Sequence, residues 1–214
     1  MPTFSSLNTQ QSLIYNRLPA ALRAWRRLSR MSLLCVLGSA LGVLSTTASA
    51  QDAPPEQRRI FIDGARAAGD VGLASVGVQL PWEWRRSFLG GELSGHWDAH
   101  VAHWRAPAGT AASERRHWTQ LALVPTLRLR FDGGRSAWFM EGGIGLSVLD
   151  GHYATRHKTF STRFNFTDHQ GIGFNFGAQR QHELMLIVRH VSNGGIRKPN
   201  PGEDFVQLRY GFAF

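Results

Sequence analysis

The chain predicts an all-β fold: an eight-stranded antiparallel transmembrane β-barrel following a cleaved N-terminal signal peptide. Three observations lead there. The first fifty residues read as an export leader, the rest alternates with period two in segments of strand length, and the last segment closes on aromatic residues. The leader holds Arg17, Arg23, Arg26, Arg27 and Arg30 with no carboxylate, then an apolar run from Met31 to Leu44, then Ala48-Ser49-Ala50. A basic stretch, a short apolar core and a small-residue Ala-x-Ala end form a secretory signal, and the apolar run is shorter than the ~20 residues that spanning requires. Cleavage after Ala50 divides the chain into residues 1–50, the signal peptide, and residues 51–214, the barrel domain.

Candidate strands fall at 59–68, 71–83, 89–104, 117–131, 136–148, 162–176, 182–193 and 204–214, separated by clusters of Gly, Pro, Asp and Ser. In the third, Leu93, Trp97 and Val101 oppose Glu92, Ser94, His96, Asp98 and His100. In the fourth, Leu121, Leu123, Leu127 and Leu129 share one face, and Gln120, Thr126, Arg128 and Arg130 the other. In the fifth, Trp138, Met140, Ile144, Leu146 and Val148 face away from Glu141, Gly143 and Gly145. Such alternation alone does not separate a soluble barrel, apolar inside, from a membrane barrel, apolar outside. The export signal tilts the choice to the second, as do the tryptophans, all but Trp25 beyond the leader, which suit membrane interfaces. The eighth segment carries Tyr210, Phe212 and the terminal Phe214 on one parity, as the closing strand of an outer-membrane barrel does for the assembly machinery that recognises it. Closure is required because hydrocarbon cannot satisfy an open edge's backbone groups, and eight strands leave a lumen that side chains fill.

Composition excludes several functions. The formal charge of +9 falls to +4 once the five leader arginines are set aside, leaving 19 basic against 15 acidic residues, which is no signature of nucleic-acid binding. The sole cysteine, Cys35, lies in the leader, so the mature chain has no thiol chemistry and no disulfide. No nucleophile elbow, phosphate loop or dinucleotide fingerprint is present, and no cofactor is called for.

The informative stretch runs from Arg189 to Phe205. His190 and Ser192 continue the parity of Leu184, Leu186 and Val188, whereas Arg189 and Asn193 share that of Met185 and Ile187. Imidazole and hydroxyl therefore point outward, and Asp204, on the parity of Val206, Leu208 and Tyr210, joins them from the next strand. A serine, a histidine and a carboxylate brought together serve as nucleophile, general base and orienting acid. Asn193 and the backbone of Gly194 and Gly195 offer oxyanion donors, since glycine lets N–H groups approach a developing charge. Polar groups facing lipid are costly and so point to function, but a trio at strand ends that merely meets water at the headgroups fits the same residues. On the residues alone both readings stand.

The segment His190-x-Ser192-Asn193-x-Gly195-x-x-x-Pro199-Asn200-x-Gly202 closely resembles the signature of the PagL family, lipid A 3-O-deacylases. The likeness extends to Trp82-Glu-Trp84, Gly95-His-Trp-Asp98, Glu141-Gly-Gly-Ile-Gly145 and Phe164-Asn-Phe-x-Asp168. It implies an integral barrel of the bacterial outer membrane, in contact with its lipids, that hydrolyses the acyl ester at position 3 of lipid A in lipopolysaccharide without a metal. It further implies His190 as base and Ser192 as nucleophile, and it leaves a homodimer open. The family's acid is commonly glutamate, and its position falls on Asp204, one methylene shorter, with Glu203 next door; parity favours Asp204. Asn200 matches a family position and is read as organising the loop.

Other clusters take plainer readings. His96, Asp98 and His100 share a lumenal face and, with His103, suggest a packed polar network more than a metal site, and Glu83, Glu92 and Glu141 are expected as lumenal partners of Arg128 and Arg130. Lys158, Arg197 and Lys198 could steer lipid phosphates, although any one of them is better read as an ordinary solvated loop charge. Two rival readings remain at this level: a non-catalytic outer-membrane barrel with an adhesive or structural role, and a secreted lipid carrier with its apolar face inward.

Overall fold

The computed structural model describes residues 56–107 and 116–214. The expected signal peptide, its cleavage site and residues 108–115, most of a loop rich in Ala, Thr and Ser, lie outside those residues. Eight antiparallel strands form one closed barrel: β1 (Arg59–Ala67), β2 (Val71–Phe88), β3 (Gly91–Arg105), β4 (His117–Arg130), β5 (Trp138–Leu149), β6 (Phe164–Phe176), β7 (His182–Ser192) and β8 (Glu203–Ala213), with a 3-10 turn at Asp132–Gly134. Each strand pairs with the next, and β1 closes on β8 from Arg59↔Ala213 to Ala67↔Phe205. The connections at 68–70, 106–116, 150–163 and 193–202 share one end, the loop end. Those at 89–90, 131–137 and 177–181 share the other with the start of β1 and the end of β8, the turn end.

Burial is inverted relative to a soluble barrel. Ile62, Val76, Leu121, Leu146, Leu186 and Leu208 are exposed on the outer wall, while Arg128, Arg189, Arg209, Asp98, Glu141 and Glu183 are buried. That is the arrangement of a barrel solvated by lipid outside and by its own side chains within. Aromatic groups gather outside at the turn end, where Trp138 lies 5.1 Å from Phe174 and His182 stacks 5.0 Å from Phe176 and hydrogen-bonds the Tyr210 hydroxyl at 2.8 Å. Rings with one polar edge settle at a headgroup boundary.

The lumen has two halves. Toward the turn end it is ionic. Arg128 donates to Glu141 at 2.6 Å and Glu183 at 2.8 Å, and Arg209 donates to Asp63 at 2.8 Å and Asp98 at 2.7 Å. Charges taken from water must be paired and fully hydrogen-bonded, so these bridges hold one arrangement of the interior in place. Toward the loop end the lumen is apolar. Trp104, Trp118, Tyr153, Phe160 and Phe205 meet edge to face at 4.8–5.3 Å between ring centres, with the Trp104 indole N–H donating to Gln120 at 3.1 Å.

Two expectations are corrected here. Trp104 and Trp118 are lumenal, not interfacial: they share the inward parity of His100 and Gln120. Glu83 is exposed, because the β2–β3 register shifts between Pro81 and Arg85 and the irregularity turns the acid out of the lumen. Glu141 does meet Arg128, but Glu92 takes Arg85 at 3.4 Å, and Arg130 is met instead by Glu56, just ahead of β1, at 2.8 Å.

Candidate active site

The site forms where β6, β7 and β8 run side by side near the loop end. In the register of these strands Asp168, His190 and Asp204 stand opposite one another in a single row, all on outward parity. His190 Nδ1 lies 2.6 Å from Asp204 Oδ1, with the imidazole about a third exposed on the outer wall at 33%. A ring nitrogen bonded to a carboxylate carries the proton, which leaves Nε2 as the basic nitrogen. Gly202 makes room for the ring: a Cβ there would lie 2.5 Å from His190 Cε1, and its φ of +66° suits glycine in any case.

Ser192 follows His190 by two residues, so its hydroxyl leaves the same face about 6.6 Å along the strand. The Gly194 N–H is directed at Ser192 Oγ at 3.5 Å, and the Phe166 ring lies against Gly194, with Phe166 opposite Ser192 in register. The hydroxyl thus sits between a backbone donor and an apolar outer wall.

The loop 193–202 is tied down from below. The Asn193 N–H donates to Asn200 Oδ1 at 3.0 Å, its side-chain amide donates to Ser161 Oγ at 3.0 Å and to the Arg197 carbonyl at 2.8 Å, and its Oδ1 accepts the Gly195 N–H at 3.0 Å. Ser161 belongs to the loop that plants Tyr153 and Phe160 in the apolar half of the lumen. The amides of Asn193 and Gly195, read from sequence as oxyanion donors, are therefore engaged within the loop, and Gly194 is the one directed at the serine.

Glu203 lies on the inner side of the wall, buried, accepting the Tyr153 hydroxyl at 2.8 Å and the Lys158 ammonium at 2.6 Å. Burial, with the Glu203 carboxylate beside it, pushes the Tyr153 phenol well above its ordinary value, so it remains a neutral donor. Lys158, expected to steer phosphate, is committed to Glu203. His96, Asp98 and His100 are all lumenal: His100 bonds Asp98 at 2.6 Å and receives Arg189 at 2.9 Å, while His103 turns outward against His117 at 3.1 Å. Sequence reasoning missed Asp168 and Gly202 as neighbours of His190. Outward parity was readable for Asp168, but the strand register that sets it beside the imidazole was not.

The family model described as lipid A 3-O-deacylase (PagL) matches residues 72–213, the greater part of the barrel. The chain belongs to the PagL family. Among curated proteins it is similar to lipid A deacylase PagL of Pseudomonas aeruginosa, 29% identical over 155 residues that cover 69% of this chain and 84% of that one. It is also similar to lipid A deacylase PagL of Bordetella bronchiseptica, 30% identical over 142 residues, 65% of this chain and 75% of that one. Among solved structures it resembles that of the outer membrane enzyme PagL, with a TM-score of 0.61 at 21% identity, covering 73% of this chain and 99% of that one. The match includes β6, β7, β8 and the loop 193–202, so every residue of the site just described falls inside the PagL region.

Proposed function

We propose that this barrel is an outer-membrane esterase that removes the acyl chain at position 3 of lipid A, with Ser192 as nucleophile, His190 as base and Asp204 as the acid that orients it. The observation that carries the reading is the 2.6 Å contact from His190 Nδ1 to Asp204 Oδ1 on the lipid-facing wall, two residues from Ser192. Serine oxygen becomes a useful nucleophile only when a base takes its proton, and the carboxylate fixes the imidazole tautomer and stabilises the cation that forms. Nε2 of His190 receives the Ser192 proton as Oγ attacks the ester carbonyl, and the Gly194 N–H, directed at Ser192 Oγ before attack, is freed by it to donate to the charge that develops on the carbonyl oxygen. The same imidazole gives that proton to the sugar oxygen as its bond to the acyl carbon breaks, so the sugar leaves with a free hydroxyl; water, activated in turn, then releases the 3-hydroxy fatty acid and restores Ser192. Asn193 and Asn200 hold the loop on which Gly194 sits.

The substrate's acyl chains lie along the outer apolar wall beside Phe166, so the ester reaches the triad without leaving the leaflet. Long loops of such barrels face outward from the cell and short turns face the periplasm, which puts the site at the outer leaflet. Gln51 begins the mature chain, and the closing strand to Phe214 is what the assembly machinery engages.

Ser192→Ala and His190→Ala are expected to leave a folded barrel that no longer deacylates lipopolysaccharide, read by mass spectrometry of lipid A as retention of the 3-hydroxyacyl chain. Turnover by either purified variant at the native rate removes the triad from the reading.

A further inference from the structure

On β1, β2 and β3, beyond the strand that carries Asp204, the loop end has a second feature that the deacylation chemistry does not use. We propose that Arg66, Arg105 and Arg116 form a docking site for a phosphoryl group of a lipid A headgroup. The site stands apart from Ser192, and the proposal does not rest on which residues form the triad.

Gly72 is opposite Arg66 on β1 and opposite Arg105 on β3, so two arginines flank a glycine on adjacent strands. Both are exposed, on outward parity. The Arg66 guanidinium already lies across the glycine, with Nη1 3.4 Å from where a Cβ of residue 72 would be. Arg116 enters from the start of β4, fixed by its carbonyl accepting the Ala106 N–H at 2.9 Å. With Asp70 and Pro107 these groups line a cleft of about 220 Å³. A water occupies about 30 Å³ of liquid, so the cleft admits a phosphoryl group with part of its hydration.

Three guanidinium groups face the cleft against one carboxylate, and among the described residues none of the three takes part in an ion pair. In the lumen, by contrast, Arg128 meets three carboxylates and Arg209 two. Guanidinium forks match phosphate oxygens two at a time and are the side chains of choice for that anion. The level of the site names the source. Below it on the same strands the outer wall is apolar through Ile62, Val76 and Val101, so the cleft opens where acyl chains give way to headgroups. Position also separates it from the reaction. Arg66 pairs with Val206, two residues from Asp204 on β8, but its guanidinium lies on the other side, over Gly72 of β2, and Ser192 is two strands away, roughly 10 Å across the wall and further toward the loop end. The cleft therefore acts on where the lipid sits, not on the ester being cut.

The test uses the wild-type mature barrel in neutral detergent and a lipid A that already lacks its 3-O-acyl chain, so nothing is hydrolysed whichever residues are catalytic. Binding of its phosphorylated form is expected to be at least about tenfold tighter than that of the same lipid with its phosphates removed. Arg66→Gln with Arg105→Gln should erase that preference, Arg66→Lys with Arg105→Lys should keep most of it, and Asp70→Asn should tighten the phosphorylated lipid. Equal affinity of the two lipids for the wild type, or a preference that survives in the glutamine variant, overturns the proposal. Full displacement of the lipid by inorganic phosphate at equal concentration overturns the lipid source. Should the double glutamine variant not assemble, judged by its gel mobility without heating, Arg116→Gln on the loop supplies the same comparison.

Discussion

Asp204 and Glu203 are neighbours in sequence with opposite surroundings, because one residue of a strand changes the wall a side chain faces. Asp204 meets the imidazole from outside, while Glu203 accepts Tyr153 and Lys158 inside. Their substitutions should separate cleanly. Asp204→Asn is expected to lower kcat by about 10³–10⁴-fold, since the wrong imidazole tautomer is then favoured, with assembly unchanged. Glu203→Gln should instead cost about 1–3 kcal/mol of stability by leaving Lys158 poorly paired, with a far smaller effect on kcat. Steady-state turnover and urea unfolding of both variants check this, and the reverse ranking of kcat would move the acid to Glu203. Parity made this pair legible from sequence. It misplaced Glu83, two positions past Pro81, because a shift in register is invisible to a pattern that assumes unbroken alternation.

At the scale of the element, the loop 193–202 behaves as a brace between two others. Asn193 joins Asn200 on its own loop to Ser161 on the neighbouring one, and that neighbour is anchored by Tyr153 and Phe160 in the lumen. Asn200→Ala leaves the Asn193 N–H without its acceptor, a local cost of about 1–3 kcal/mol. The expected outcome is faster amide exchange at Asn193 and Gly195 and a fall in kcat of at least about tenfold, because an oxyanion donor displaced by an ångström loses much of its effect. Exchange rates equal to wild type alongside full activity would show that the brace is dispensable. The strands themselves were legible to within two residues, except that β2 runs on to Phe88, five residues past its expected end at 83. What the sequence could not supply was pairing between distant segments, so Ser161 beneath Asn193 and Asp168 beside His190 were out of reach. Trp104 and Trp118 were within reach: their parity places them inside, and composition alone had suggested the interface.

Across the whole molecule, the ionic half of the lumen gathers around groups from strands far apart in the chain, and Glu56 shows what that does to acid tolerance. Burial pushes its carboxyl up, but Arg128, Arg130 and Arg59 outweigh this and hold it at about 2, against 4.5 for the free group. A carboxyl depressed on folding contributes stability that is fully present above its unfolded value and is lost as pH falls through the folded one. Wild-type barrel should therefore lose resistance to denaturant progressively from about pH 4.5 down to about 2. Glu56→Gln should be less stable at neutral pH and decline less steeply over that window, as chemical unfolding at a series of pH values would show. An identical slope for both proteins would place the acid sensitivity elsewhere. Glu56 precedes the first alternating segment, so no periodicity marked it as part of the interior.

Rings of tryptophan, tyrosine and phenylalanine stopper one half of the tube, and salt links fill the other. Traffic through the middle is thereby closed to anything the size of a glycolipid. Reactant must drift in sideways from the surrounding leaflet, and both fragments must depart the same way. Turnover should then follow how densely lipid is packed per unit area of membrane, and stay indifferent to the volume of medium in which the vesicles are suspended.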